Sequence, residues 1–103
     1  MTEAEWKIFR QVREAALERL CGRIMEQSQK AMQGPGTNHE RYLRLFQAVH
    51  DGDKEVAWAF NDFRRSTADQ ILAVMARLRL VTDDELARFQ PNTQEFVRAM
   101  VRG

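Results

Sequence analysis

A chain of 103 residues fits one domain and can bury a modest core without metal ions or disulfides. Its 16 basic and 15 acidic residues leave a net charge of +1 and are spread over both halves, which excludes a basic tract built for a phosphate backbone or an anionic membrane. Cys21 stands alone and excludes an intrachain disulfide, and no apolar run approaches the length of a membrane span.

Only 5 Gly and 2 Pro punctuate a chain rich in Ala, Leu, Arg, Glu, Gln and Met, so helices are expected throughout. Four helix starts are written alike: Thr2 to Glu5, Thr37 to Glu40, Thr82 to Glu85 and Asn92 to Glu95. Each sets a capping side chain three residues before a glutamate that can reach back to the cap's own N–H. The first helix spans about 2–32, with Phe9, Val12, Ala16, Leu20 and Ile24 as its buried stripe and Leu17, Cys21 and Met25 beside it. It stops at Gly34-Pro35-Gly36. A second helix near 38–50 is expected to bury Tyr42, Leu45, Phe46 and Val49, and to stop at Gly52 in a tight turn capped by Asp53.

The stretch Arg64-Arg65-Ser66-Thr67 interrupts the apolar residues around it. Val56, Phe60, Phe63, Thr67, Ile71, Val74 and Leu78 nevertheless keep helical phase through it. Arg65 can pair with Asp62 one turn back and Asp69 one turn on. The spacing therefore predicts a single helix over about 53–80, with the polar stretch as its wet face. Two shorter helices follow, near 83–90 and 93–102. The expected fold is all-α, one domain over 1–103, with two long helices (near 2–32 and 53–80) packed antiparallel and a short C-terminal helical hairpin.

Two helices of about 45 and 42 Å overhang a compact domain of this size, whose diameter is about 34 Å. A second subunit covering the overhang makes a homodimer the expected state. On the predicted third helix, Trp58 lies on the side of Asp62, Arg65 and Asp69, with Leu72 extending the apolar part. A tryptophan beside an arginine is a common interface anchor, so these five residues form the expected interaction face.

No local motif carries chemistry. His39 and His50 lie eleven residues apart on one helix, too far to share an ion. Asp51-Gly52-Asp53 lacks the later ligands of a calcium loop, and Gly34-Pro35-Gly36 lacks the spacing and lysine of a phosphate loop. Cys21 falls mid-helix on the apolar side, where a thiol acts as a small buried hydrophobe. Neither a cofactor nor a metal is expected, and a catalytic role is not. The opening residues lack the apolar core of a signal peptide, so a cytoplasmic location is expected.

Residues 80–101, LVTDDELARFQPNTQEFVRAMV, place Leu86-Ala87 before a turn, Thr93 as a cap and Val97 as a buried anchor. In this outline the stretch resembles the helix-turn-helix of bacterial regulators. The resemblance implies DNA binding, with Gln94, Arg98 and Arg102 towards a major groove. Gln90-Pro91 replaces the usual turn residues, and Glu95 opposes phosphate. The preferred reading is a hairpin whose Leu86, Phe89, Phe96 and Met100 close the core. A non-catalytic interaction or self-associating module follows, with a small DNA-binding regulator as the alternative.

Overall fold

The computed structural model describes residues 1–103 as five α-helices with no strands: α1 (Glu3–Gln33), α2 (Asn38–Phe60), α3 (Ala68–Arg77), α4 (Asp83–Leu86) and α5 (Pro91–Arg102). The fold is all-α, and its two long helices pack against each other as a hairpin. Three of the four capping boxes form as the sequence reads, at Thr2, Thr37 and Thr82. The fourth does not. The N-cap of α5 is Gln90, with Pro91 in the first turn, so Asn92 lies inside the helix rather than capping it, as does Thr93.

The second long helix is α2, and not a helix over 53–80. Gly52 does not end a helix; it lies buried within α2. The chain leaves the helix at Asn61, and Arg64 is extended. A single 3₁₀ turn, Arg65–Thr67, then leads into α3. The break occurs where Asn61, Asp62 and Ser66 can satisfy the backbone locally in non-helical forms. Asp62 takes two hydrogen bonds from Arg64 at 2.7 and 3.1 Å, and Thr67 donates to the Arg64 carbonyl. What favours the break is burial: folded back, α3 hides Ala68, Ile71, Leu72, Ala73 and Met75. A continuous helix would carry those side chains away from α1 into water, at about 1.5–3 kcal/mol for each large one.

The core lies between the first half of α1 and the C-terminal helices. Phe9, Val12, Ala16 and Leu20 are buried as their spacing predicts, against Leu72, Met75, Leu80, Phe89 and Val97. Leu86 and Phe89 close it, whereas Phe96 and Met100 of the predicted hairpin stay largely outside. Helix α3 ends with Arg79 at φ 59°, a left-handed position that lets the Leu80 N–H reach the Met75 carbonyl and the Arg79 N–H reach that of Ala76.

Polar side chains of α1 tie the other elements to it. Arg13 donates to the Phe60 carbonyl at the end of α2 (2.8 Å) while its guanidinium lies 4.3 Å from the Phe63 ring centre. Arg19 binds the Leu80 carbonyl and both oxygens of Glu85, and Arg23 donates to the carbonyls of Leu78 and Arg79. The molecule is elongated, 52 × 23 × 21 Å, with a radius of gyration of 16.2 Å. The length is that of the α1–α2 hairpin, whose far half projects beyond the core.

Candidate interaction surface

The buried residues of α1 fall between Glu5 and Leu20, with Ser28 the one exception farther out. Those of α2 are Gly52, Ala59 and Phe60, all in its second half. The half of the hairpin that bears the Gly34-Pro35-Gly36 bend is therefore held together by the two helices alone. Its tip is secured by polar contacts: Arg41 donates to the Met32 carbonyl, Arg44 to that of Pro35, and Thr37 and Glu40 exchange capping bonds.

On this projecting half the apolar residues face outward. Tyr42, Phe46 and Val49 are 59%, 56% and 47% exposed, which corrects the expectation that α2 buries them. Their spacing of four and three residues puts them on one stripe of α2. Met25 and Met32 of α1, 70% and 48% exposed, are seven residues apart and likewise share a face. The two stripes adjoin. Met32 lines one shallow depression with Tyr42 and Leu45 of α2, and a second with Met25, Gly22 and Gln29 of its own helix. Phe46 also stacks on His50, with ring centres 5.7 Å apart and planes 8° from parallel.

A free aromatic side chain presents about 200 Å², and methionine and valine somewhat less. The five, about half exposed or more, offer on the order of 500 Å² of adjoining apolar surface, at the upper end of what a typical monomer shows in one patch. The physical reason is geometric: the C-terminal helices are too short to reach along the whole hairpin. Sequence periodicity reports which residues share a face, but not whether anything lies opposite that face.

The five residues predicted as an interaction face do not form one. The break at 61–67 parts Trp58 from the others. Trp58 is 53% exposed on α2, Asp62 pairs with Arg64, and Arg65 reaches Glu3 at 2.6 Å rather than either predicted aspartate. Asp69 lies in the first turn of α3 with one carboxylate oxygen buried, and Leu72 is fully buried in the core. Leu72 is therefore unavailable to a partner. Cys21, expected to be buried, is exposed.

The predicted nucleic-acid contacts lie on α5. Gln94 donates its amide to the carbonyls of Ala87 and Phe89 and accepts from Arg98, so it is spent on the turn before α5. Arg98 and Arg102 border a cleft of about 260 Å³ floored by Ala76, Leu86 and Val97, with Asp83 at its rim. Val97 is the buried anchor the sequence implies. The first helix of a helix-turn-helix is here one turn of four residues, α4.

Four carboxylates are held below their usual pKa by structure, Glu5, Glu40, Asp62 and Glu85, and of these Glu5 and Glu85 tie separate helices together. Burial raises the proton affinity of Glu5, but hydrogen bonds from the Thr93 hydroxyl (2.7 Å) and the N–H groups of Gln90 and Thr2 outweigh it and hold the pKa below the usual glutamate value. Glu85 is held low chiefly by its two bonds from Arg19, against some desolvation. Both groups hold helices in place rather than facing an opening. His, Cys, Asp and Glu side chains nowhere gather in threes to offer a metal a ligand set, and no helix is long and apolar enough to cross a membrane. No protein-family model, curated protein or solved structure matches the chain.

Proposed function

We propose that this protein is a non-catalytic interaction module that works through the outward apolar face of its projecting hairpin. The observation that carries the reading is the exposure of Tyr42, Phe46 and Val49 beside Met25 and Met32, far from the core. Leaving such a surface in water forgoes about 25 cal/mol for each Å² that a partner could cover. The hairpin is also stiffly framed at its root, by Arg13 on the end of α2 and by the core packing of Phe9 to Leu20.

The alternative, a DNA-binding regulator, gains no support from α5, because Gln94 is occupied within the fold and α4 spans one turn. Phe46→Glu tests the interaction reading, since Phe46 is more than half exposed and its replacement leaves the core untouched. Wild-type protein immobilised on a resin should retain partners, with the purified chain itself among the probes. The F46E variant should retain at least tenfold less. Equal retention by the two would remove this face from consideration.

A further inference from the structure

We infer that the cleft between α3, α4 and α5 is a binding site for a small α-amino acid with an apolar side chain. The site lies on other elements than the hairpin face, and the inference does not depend on that face. It rests on the lining, the charge and the freedom of the charged groups.

The cleft, of about 260 Å³, is lined by the aliphatic side chains of Val81, Leu86 and Val97. Leu86 and Val97 belong to the buried core, so the floor is held from beneath. An apolar floor with a few polar groups beside it is the ordinary make-up of a small-molecule site. The volume falls below the range of about 300–1,000 Å³ that suits drug-sized ligands. The guest is therefore small, a short apolar body with a polar end.

Arg98 and Arg102 enter the cleft from α5, one helical turn apart, and Asp83 enters from the first turn of α4. Both signs of charge thus border one apolar floor. A guest that meets all three features carries an anion, a cation and an apolar body close together. An α-amino acid does so. Its carboxylate matches the planar guanidinium group, its ammonium the Asp83 carboxylate, and its side chain the floor. A simple organic acid or amine leaves one sign of charge unmatched.

These charges are not spent on the fold. Its ion pairs all lie elsewhere, so Asp83 and the two arginines share the cleft without closing on one another. Arg98 donates one hydrogen bond, to the Gln94 side-chain oxygen at 3.1 Å, and keeps its other donors. All three residues are exposed at the surface. Exposed pairs of this kind gain little in water, so a guest has no strong internal pair to displace.

Titration of isotope-labelled protein with leucine, followed through backbone amide resonances, tests the inference. Leucine should shift the amides of residues 81–83 and 97–102 saturably, with a Kd at or below about 1 mM. Three probes each remove one part of it: 4-methylpentanoate lacks the ammonium, 3-methylbutylamine the carboxylate, and glycine the side chain. Each should bind at least tenfold more weakly than leucine. Asp83→Asn should abolish the advantage of leucine over 4-methylpentanoate. Arg98→Gln combined with Arg102→Gln should abolish its advantage over 3-methylbutylamine. If one of these variants fails to fold, the other decides. The inference is overturned if neither leucine nor phenylalanine shifts these amides at about 10 mM, or if the shifts fall elsewhere. Binding of 4-methylpentanoate as tight as that of leucine overturns it too, as does leucine binding that neither variant weakens.

Discussion

At the scale of single residues, Glu5 performs two tasks where the sequence shows one. Its place three residues after Thr2 marks it as part of a capping box, and that box forms. Its second carboxylate oxygen accepts from the Gln90 N–H and the Thr93 hydroxyl, so it also caps the start of α5, 85 residues along the chain. This explains why the box written into Asn92–Glu95 goes unused: the free N–H at Gln90 is already met by a buried negative charge. Glu5→Gln retains the shape but loses the charge, and should destabilise the fold by about 1–3 kcal/mol at neutral pH. The pH dependence follows from the depressed pKa. Above the usual glutamate pKa of about 4.3, both folded and unfolded chains are ionised and the stabilisation is fully present. As pH falls below that value, the unfolded chain takes up its proton first, so the stabilisation is lost progressively down through the lower folded pKa. Glu85 adds to the loss with the same sign. Urea titrations at pH 7, 5 and 3 should show little change between the first two and a steep fall to the third. The fall should be shallower in Glu5→Gln, and an equal fall in both would dissociate Glu5 from the acid response.

At the scale of elements, Gly52 decides how long α2 is. A glycine in mid-helix costs about 1 kcal/mol relative to alanine, and beside two aspartates it reads as a stop. Here it is what lets α2 approach α1: a Cβ at position 52 would sit 2.5 Å from Ile24 Cγ1 and 3.0 Å from Cγ2. Both branches of a stiff β-branched side chain are in the way, so a rotamer change does not clear the clash. Gly52→Ala should therefore lower stability by about 1–2 kcal/mol, overpacking outweighing the gain in helix propensity. Thermal denaturation should fall by about 4–8 °C per kcal/mol. In a double-mutant cycle with Ile24→Ala, the pair should be more stable than the sum of the singles predicts. Additive losses would mean that the close approach is not the reason for the glycine. Much of this scale is legible in sequence. Three capping boxes, the stop at Gly34 and the stripe from Phe9 to Leu20 stand as read. The break after Phe60 is not, because phase is kept on both sides of it and only the burial of α3 against α1 and α5 disfavours continuity. The arginines of α1 are equally silent. Arg13, Arg19 and Arg23 read as surface charge or coding bias, and their carbonyl partners lie 47, 61 and 55 residues away.

At the scale of the molecule, the two halves of the hairpin rest on different support. The root is packed under α3 and α5, whereas the tip has only the partner helix and a few polar bonds around residues 32–44. The candidate surface belongs to the tip, and so could not be read from the pattern of α2: Tyr42, Leu45, Phe46 and Val49 carry the same periodicity as a buried stripe. What differs is the reach of the C-terminal helices, a property of the whole fold. Uneven support predicts uneven stability, since regions with few buried contacts open at lower free energy than the core. Hydrogen exchange on the Phe46→Glu variant isolates this property from any contact through the face. Amides of residues 71–75 in α3 should exchange only by global unfolding, with protection that falls with urea at the full slope. Amides of residues 26–32 and 42–48 should exchange at least tenfold faster, with little dependence on urea at low concentration. Equal protection from tip to core in the variant would mean that the hairpin unfolds as one cooperative unit with the core. The tip would then be rigid on its own account, and the exposed stripe would owe nothing to weak support.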